Sequence, residues 1–282
     1  MKFTTLIALF LSMFLIEKPT STPSTSPPIT MCGMDQFAKD PSFMQTHPYV
    51  RAIPTFEAQG KMIQIPVEGG EKANVYEIKA QKSSNQYMVI IHEWWGLNEN
   101  IKQQADRLAK DLPYVNMLAV DMYDGKVATT PQDARTYMGG LDQNRALAIV
   151  KALSAYMGDE AEVATIGWCF GGAWSLQSAL ALGEKVKGCV MYYGMPERSV
   201  EKLKALNSDV LGIFAKKDRY ITPAVVEVFE ENMEKAGKEV SVHQFDADHA
   251  FANPSGARYQ EKEAEEAYAL TLAYLKEHLP AE

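Results

Sequence analysis

The apolar run Val163-Ala164-Thr165-Ile166 passes without a polar break into Gly167-Trp168-Cys169-Phe170-Gly171-Gly172, which opens a small-residue-rich segment from Ala173 to Leu182. Read locally, this is a buried strand feeding directly into a helix, with cysteine at the tip of the turn. Glycines two before and two after Cys169 permit a strained strand-to-helix elbow that lifts the cysteine side chain above the sheet. A thiol in that position faces the unpaired N–H groups and positive dipole end of the helix, which favour thiolate over thiol.

The elbow sits inside a longer alternation. Met62 to Val67 and Asn74 to Ile78, separated by Glu68-Gly69-Gly70-Glu71, predict an antiparallel hairpin. Apolar runs at Tyr87–Ile91, Asn116–Val120, Val163–Ile166, Val186–Met191, Val210–Phe214 and Val240–Phe245 then predict strands. Helical patterns separate or follow them at Asn98–Asp111, Leu141–Tyr156, Phe170–Leu182, Thr222–Ala236 and Arg258–His278. Strands alternating with helices imply an α/β domain: a mainly parallel sheet with helices on both faces and its site at the carboxyl ends of the strands. In the last helix Tyr268, Leu272, Leu275 and Leu279 form an apolar stripe, while Glu261, Glu263, Glu265 and Glu266 crowd its first turns as a solvated face.

The N-terminus is a different material. Lys2 precedes an apolar segment, Phe3 to Ile16, with the length of a signal-peptide core and short for a membrane span. Pro19 to Pro28 is a Pro/Ser/Thr tract that cannot build a core and reads as a tether. The expected organisation is a signal peptide or anchor with its tether over residues 1–30, an irregular segment over 31–59 and one catalytic domain over 60–282. Export to the periplasm or the cell exterior follows from it, with residues before about Gly60 dispensable for catalysis. Cys32 stands after the tether where a lipidated N-terminus could form, although Thr30-Met31 lacks the usual lipobox pattern. A formal net charge of −8, without a basic cluster, argues against nucleic acid as a partner. The three cysteines lack zinc-site spacing and are too few for a disulfide scaffold, so neither metal nor cofactor is expected. Cys189, in the run Val186 to Tyr192, reads as a buried strand thiol.

An elbow nucleophile needs a base and an orienting acid, in the order nucleophile, acid, histidine, each on a loop after a strand. Asp218 follows Val210–Phe214 in Ala215-Lys216-Lys217-Asp218-Arg219, and His249 follows Val240–Phe245 in Asp246-Ala247-Asp248-His249-Ala250-Phe251. Rivals are worse placed: His47 is in the irregular segment, His243 within a strand and His278 at the end of the last helix, while Asp121 precedes Cys169.

From about Gly60 to the C-terminus the chain resembles the dienelactone hydrolase family of the α/β-hydrolase superfamily. The residues that carry the resemblance are the Gly-x-Cys-x-Gly-Gly around Cys169, the Asp218 and His249 loops, Tyr192-Tyr193-Gly194, and His92-Glu93-Trp94-Trp95-Gly96. The resemblance implies a Cys169–His249–Asp218 triad that cleaves an ester or lactone, with the N–H groups of Phe170 and Trp94 as the oxyanion hole. It further implies that Glu93 holds the resting thiol in an unreactive pose until substrate displaces it. The loop His249-Ala250-Phe251-Ala252-Asn253-Pro254 departs from the family, which has an arginine there to grip a substrate carboxylate. Arg135 and Arg258 are the alternative anion partners. Trp94, Trp95, Trp168, Tyr193 and Phe251 cluster near strand ends and suggest a pocket for an apolar or aromatic ester, with Asn253 beside it. The competing functional readings are a thioesterase or short-chain acyl esterase on the same residues, and a catalytically silent ligand receptor on the same fold.

Overall fold

The computed structural model describes Met1, residues 33–45 and residues 57–281. The apolar leader, the tether, Cys32 and His47 lie outside the described residues. Strands β1 (Lys61–Ile65) and β2 (Ala73–Ile78) form the antiparallel hairpin, with Lys61 opposite Glu77 and Ile65 opposite Ala73. Six further strands follow: β3 (Gln86–Ile91), β4 (Asn116–Val120), β5 (Glu162–Trp168), β6 (Val186–Tyr192), β7 (Val210–Ala215) and β8 (Val240–Phe245). They join the hairpin in one sheet of order β1-β2-β4-β3-β5-β6-β7-β8, and every pairing from β4 to β8 is parallel. Only β2 on β4 and β1 on β2 run antiparallel.

Among the described residues eight α-helices connect or flank the strands: α1 (Pro41–Gln45), α2 (Glu99–Asp111), α3 (Pro131–Gly139), α4 (Gln143–Met157), α5 (Phe170–Leu182), α6 (Val200–Leu203), α7 (Pro223–Lys235) and α8 (Glu261–His278). Strand periodicity shows that they cover both faces. Thr165 and its partner Cys189 meet Ser175 of α5, whose Oγ donates to Thr165 Oγ1 at 2.9 Å. Trp168 and its partner Tyr192, three residues further along each strand, face the opposite way. There the Tyr192 hydroxyl pairs with Thr271 of α8 at 2.6 Å. The stripe that α8 buries is therefore Ala264, Ala267, Thr271 and Leu275, with Tyr268 and Leu272 only partly covered. A buried threonine is tolerated because Tyr192 satisfies it. Cys189 is fully buried, and burial pushes its thiol up to about 11.

The helix periodicity did not announce α3 or α6. The first begins Thr130-Pro131-Gln132-Asp133, where Thr130 Oγ1 accepts the Asp133 N–H at 3.1 Å and Pro131 presets the first turn. That capping signal is legible where periodicity is weak, whereas α6 has four residues and no period to read.

Small residues around the elbow are demanded by backbone proximity. A Cβ on Gly171 would lie 2.3 Å from the Ile91 carbonyl oxygen and 2.4 Å from that of His92; one on Gly172 would lie 2.4 Å from the Tyr192 oxygen. One on Gly167 would meet the Gly171 oxygen at 2.1 Å. None of these three glycines has a positive φ, so their role is to let α5 seat against the ends of β3 and β6. Gly171→Ala should accordingly destabilise the domain by about 3 kcal/mol or more, because backbone rather than a flexible side chain must yield. Gly237→Ala, at the left-handed position after α7 with φ 69° and open space around it, should cost only about 1–2 kcal/mol. Urea unfolding of both variants checks the contrast, and equal losses would refute it.

Candidate active site

Cys169 caps the N-terminus of α5 with φ 55° and ψ −116°, a conformation an L-residue adopts only when its surroundings impose it. Its N–H donates to the Tyr192 carbonyl at 3.0 Å, and its own carbonyl accepts from Gly172 and Ala173. Among the described residues the non-glycine positions with positive φ are Asp124, Cys169, Tyr193 and Ala250. Three of them gather here: Cys169 after β5, Tyr193 after β6 and Ala250 beside His249. Each stores on the order of 1–3 kcal/mol of strain.

The loops after β7 and β8 bring acid and histidine together. Asp218 Oδ2 accepts from His249 Nδ1 at 2.5 Å, and its Oδ1 accepts the N–H groups of Tyr220 at 2.8 Å and Ile221 at 3.0 Å. Both oxygens are occupied, so the carboxylate is fixed in orientation. Burial opposes its charge, yet His249 and the two N–H donors outweigh burial and hold it below the usual carboxylate range. With Nδ1–H on Asp218, His249 Nε2 is left to serve the Cys169 thiol, its side-chain partner. Burial disfavours the imidazolium, but the Asp218 carboxylate raises His249 well above its ordinary value, and Cys169 adds to this whenever its sulfur is ionised. Burial pushes the Cys169 thiol up, and Glu93 adds to this against the pull of His249 and the Phe170 N–H. The expected dipole-stabilised thiolate is thus corrected: the elbow lies too deep, at 1% exposure, for the helix terminus to prevail.

The loop after β3 supplies the third element. His92 is buried and neutral, burial holding it below its ordinary value. Its Nε2 accepts the Met122 N–H at 3.1 Å, so Nδ1 carries the proton and donates to the Glu93 carbonyl at 2.6 Å. This clamp, together with a turn closed by the Gly96 N–H on the same carbonyl at 3.2 Å, points Glu93 inward. Burial raises the Glu93 carboxyl to about 7, opposed by His249 and by Asn253. Asn253 Nδ2 donates to Glu93 Oε2 while its Oδ1 accepts from the Ser255 N–H and hydroxyl at 2.8 and 2.6 Å. The Tyr193 phenol faces Glu93 at a geometry short of a full hydrogen bond.

Of the aromatic residues singled out in the sequence, Tyr193 packs on His249 with ring centroids 5.0 Å apart and on Phe251 at 5.7 Å. Trp94 and Trp95 meet edge to face at 5.0 Å. Trp168 turns to the α8 face, tilted against Tyr192 at 5.6 Å. Phe170 lies against His92 and Tyr123, and its N–H adjoins the sulfur. Arg135 donates from Nε to the Ala38 carbonyl. Sequence reasoning passed over Tyr220, which fixes Asp218 through its N–H, and Phe43, whose ring reaches His249. No signal in the sequence pointed to Phe43; Tyr220 stood two residues from the acid. Among the described residues no group of His, Cys, Asp and Glu side chains is arranged to hold a metal ion.

An antiparallel hairpin leading into a parallel sheet, an elbow after β5, and acid and histidine loops after β7 and β8 define an α/β-hydrolase. The sequence profile of the dienelactone hydrolase family matches residues 73–279. The chain belongs to that family and is a hydrolase. It is 30% identical to Protein usf of Aquifex pyrophilus over 233 residues, spanning 78% of this chain and 99% of the relative. A carboxymethylenebutenolidase of Pseudomonas sp. strain P51 is 29% identical over 119 residues, 42% of this chain and 49% of that protein. The crystal structure of a dienelactone hydrolase-like promiscuous phosphotriesterase, P91, from metagenomic libraries shares the fold at TM-score 0.66 and 21% identity, covering 78% of this chain and 98% of that one.

Glu93 yields a pH dependence of stability. Its folded value lies above the ordinary 4.5, so the native state binds more protons than the unfolded chain between 4.5 and about 7. Stability contributed by the protonated form is fully present below 4.5 and is lost as pH rises through 7, by roughly 3 kcal/mol at full ionisation. Glu93→Gln keeps the shape without the charge. It should be more stable than wild type at pH 8 and gain little at pH 4.5, as read by urea unfolding at both; the same difference at the two values would contradict the assignment.

Proposed function

We propose that the protein hydrolyses a small neutral ester or lactone, with Cys169 as nucleophile, His249 as general base and acid, and Asp218 as the group that orients the imidazole. The observation that carries this reading is the 2.5 Å Asp218–His249 hydrogen bond, with Cys169 as the histidine's other partner at a strained elbow. Burial keeps the resting thiol neutral; with the imidazole neutral as well, Nε2 takes the thiol proton when the substrate carbonyl is in place, and Asp218 stabilises the imidazolium that forms. The thiolate then adds to the carbonyl carbon. The N–H groups of Phe170 and Trp94 receive the oxyanion, and the imidazolium gives its proton to the departing alkoxide, leaving a thioester on Cys169. His249 next deprotonates a water that attacks the thioester, and the proton returns to sulfur as the acid leaves. In a lactone the alkoxide remains tethered to the acyl group.

Glu93 is assigned to holding the resting thiol protonated, since its charge beside the sulfur disfavours a second negative charge. The same charge repels an acidic substrate, and Asn253, which occupies the expected arginine position, is bonded to Glu93. Arg135, one of the two alternative anion partners, is engaged with Ala38. These contacts support a neutral substrate. Export follows from the sequence segment Phe3–Ile16, and cell fractionation tests it.

Cys169→Ala should lower kcat/KM on p-nitrophenyl acetate by on the order of 10³ or more, because a triad acts as one unit. Cys169→Ser should lose most activity, as a hydroxyl is far less acidic than a thiol. Cys189→Ala, whose buried thiol touches Ser175, is the matched control and should retain turnover. A folded Cys169→Ala protein with more than about a tenth of wild-type activity, ~1.4 kcal/mol in barrier, would overturn the nucleophile assignment.

A further inference from the structure

Residues 33–45 precede the region matched by the family and were expected to be irregular, yet they are built into the site. A 3₁₀ turn (Met34–Lys39) leads through Asp40 into α1, and Asp40 Oδ1 accepts the Ser42 N–H at 2.8 Å. Met34, Ala38 and Phe43 are buried. The Arg135 hydrogen bond to Ala38 and the close approach of Gly139, where a Cβ would lie 3.0 Å from the Ala38 Cβ, seat the turn on α3. Ser42 Oγ pairs with the Tyr220 hydroxyl at 2.9 Å.

Phe43 is where this segment meets the chemistry. Its ring lies edge-on to Trp94 and to Tyr220, each at 5.0 Å, and to His249 at 6.1 Å, and stacks on Phe37 at 5.5 Å. Those neighbours belong to three working parts: the loop after β3, the acid loop that fixes Asp218, and the histidine itself. Tyr193 packs on the imidazole as well, at 5.0 Å. A substrate whose carbonyl reaches Cys169 must place its substituents beside these rings, and a wall of fully buried aromatic carbon gives way only at the cost of lost packing.

We propose that Phe43 is a specificity-determining residue: a wall of the substrate site, contributed from outside the family region, that restricts the enzyme to esters and lactones with short substituents beside His249. The inference rests on the ester-hydrolase reading for its substrate, and on packing alone for its geometry.

The test uses the full chain. In wild type, p-nitrophenyl acetate should be preferred to the octanoate; Phe43→Ala should raise the octanoate-to-acetate ratio of kcat/KM about tenfold or more. Independently of turnover, peptide mass spectrometry measures alkylation of Cys169 by iodoacetamide and by a bulky fluorescein maleimide. The maleimide should gain about tenfold relative to iodoacetamide in Phe43→Ala. Phe43→Leu gives the same directions at smaller size if the alanine variant does not fold. Both ratios within twofold of wild type in a folded variant would overturn the wall while leaving the hydrolase intact. Should wild type turn over no ester, the hydrolase reading fails and the alkylation ratio alone decides the wall.

Discussion

The site depends on the distance at which helix α5 meets the sheet. Gly171 and Gly172 bring helix backbone within van der Waals contact of the carbonyls that end β3 and β6, and Gly194 admits the same approach from the far side, where a Cβ would lie 2.2 Å from the Ala173 nitrogen. The contact is backbone on backbone and cannot be adjusted by a rotamer change. It fixes Cys169 against the His92–Gly96 loop and the Tyr192–Gly194 turn, and it forces the cysteine into its strained conformation. The β7 and β8 loops then need only reach a point that α5 has already set.

Burial is the second constraint, and its effects are divided among three groups. Asp218 resists it with two N–H donors and an imidazole, and stays ionised. Cys169 has the opposing pulls of His249 and Glu93, and burial tips it toward the neutral thiol. Glu93 has one strong donor in Asn253 and titrates near neutrality. Two carboxylates that both act on His249 thus ionise in different pH ranges, because one is solvated by backbone and the other is not.

Most of the scaffold was legible in the sequence because buried parallel strands are written as unbroken apolar runs, and their ends came within one or two residues of the observed ones. Gly167 and Trp168 extend β5 past the predicted strand, where they pair with Met191 and Tyr192 of β6. Asp218 and His249 were legible by position, each on the loop after a strand. What was not legible depends on side chains far apart in sequence. Nothing near Asn253 says that its amide meets Glu93, and nothing in Phe37 or Phe43 says that a segment next to a Pro/Ser/Thr tract has a seat in the fold. The charge of the thiol was misread for the same reason: the helix dipole is local and visible, while desolvation belongs to the assembled protein.

The seat of Phe43 has a consequence for the order in which the chain is completed. Trp94, Tyr220 and His249 make that seat, and His249 stands near the end of the chain. The turn can rest on α3, but the seat of Phe43 is complete only once the loop after β8 is in place, a contact between residues far apart in sequence and therefore slow to form. Phe43 therefore takes its place beside His249 among the later contacts of the domain. Its burial marks a finished molecule.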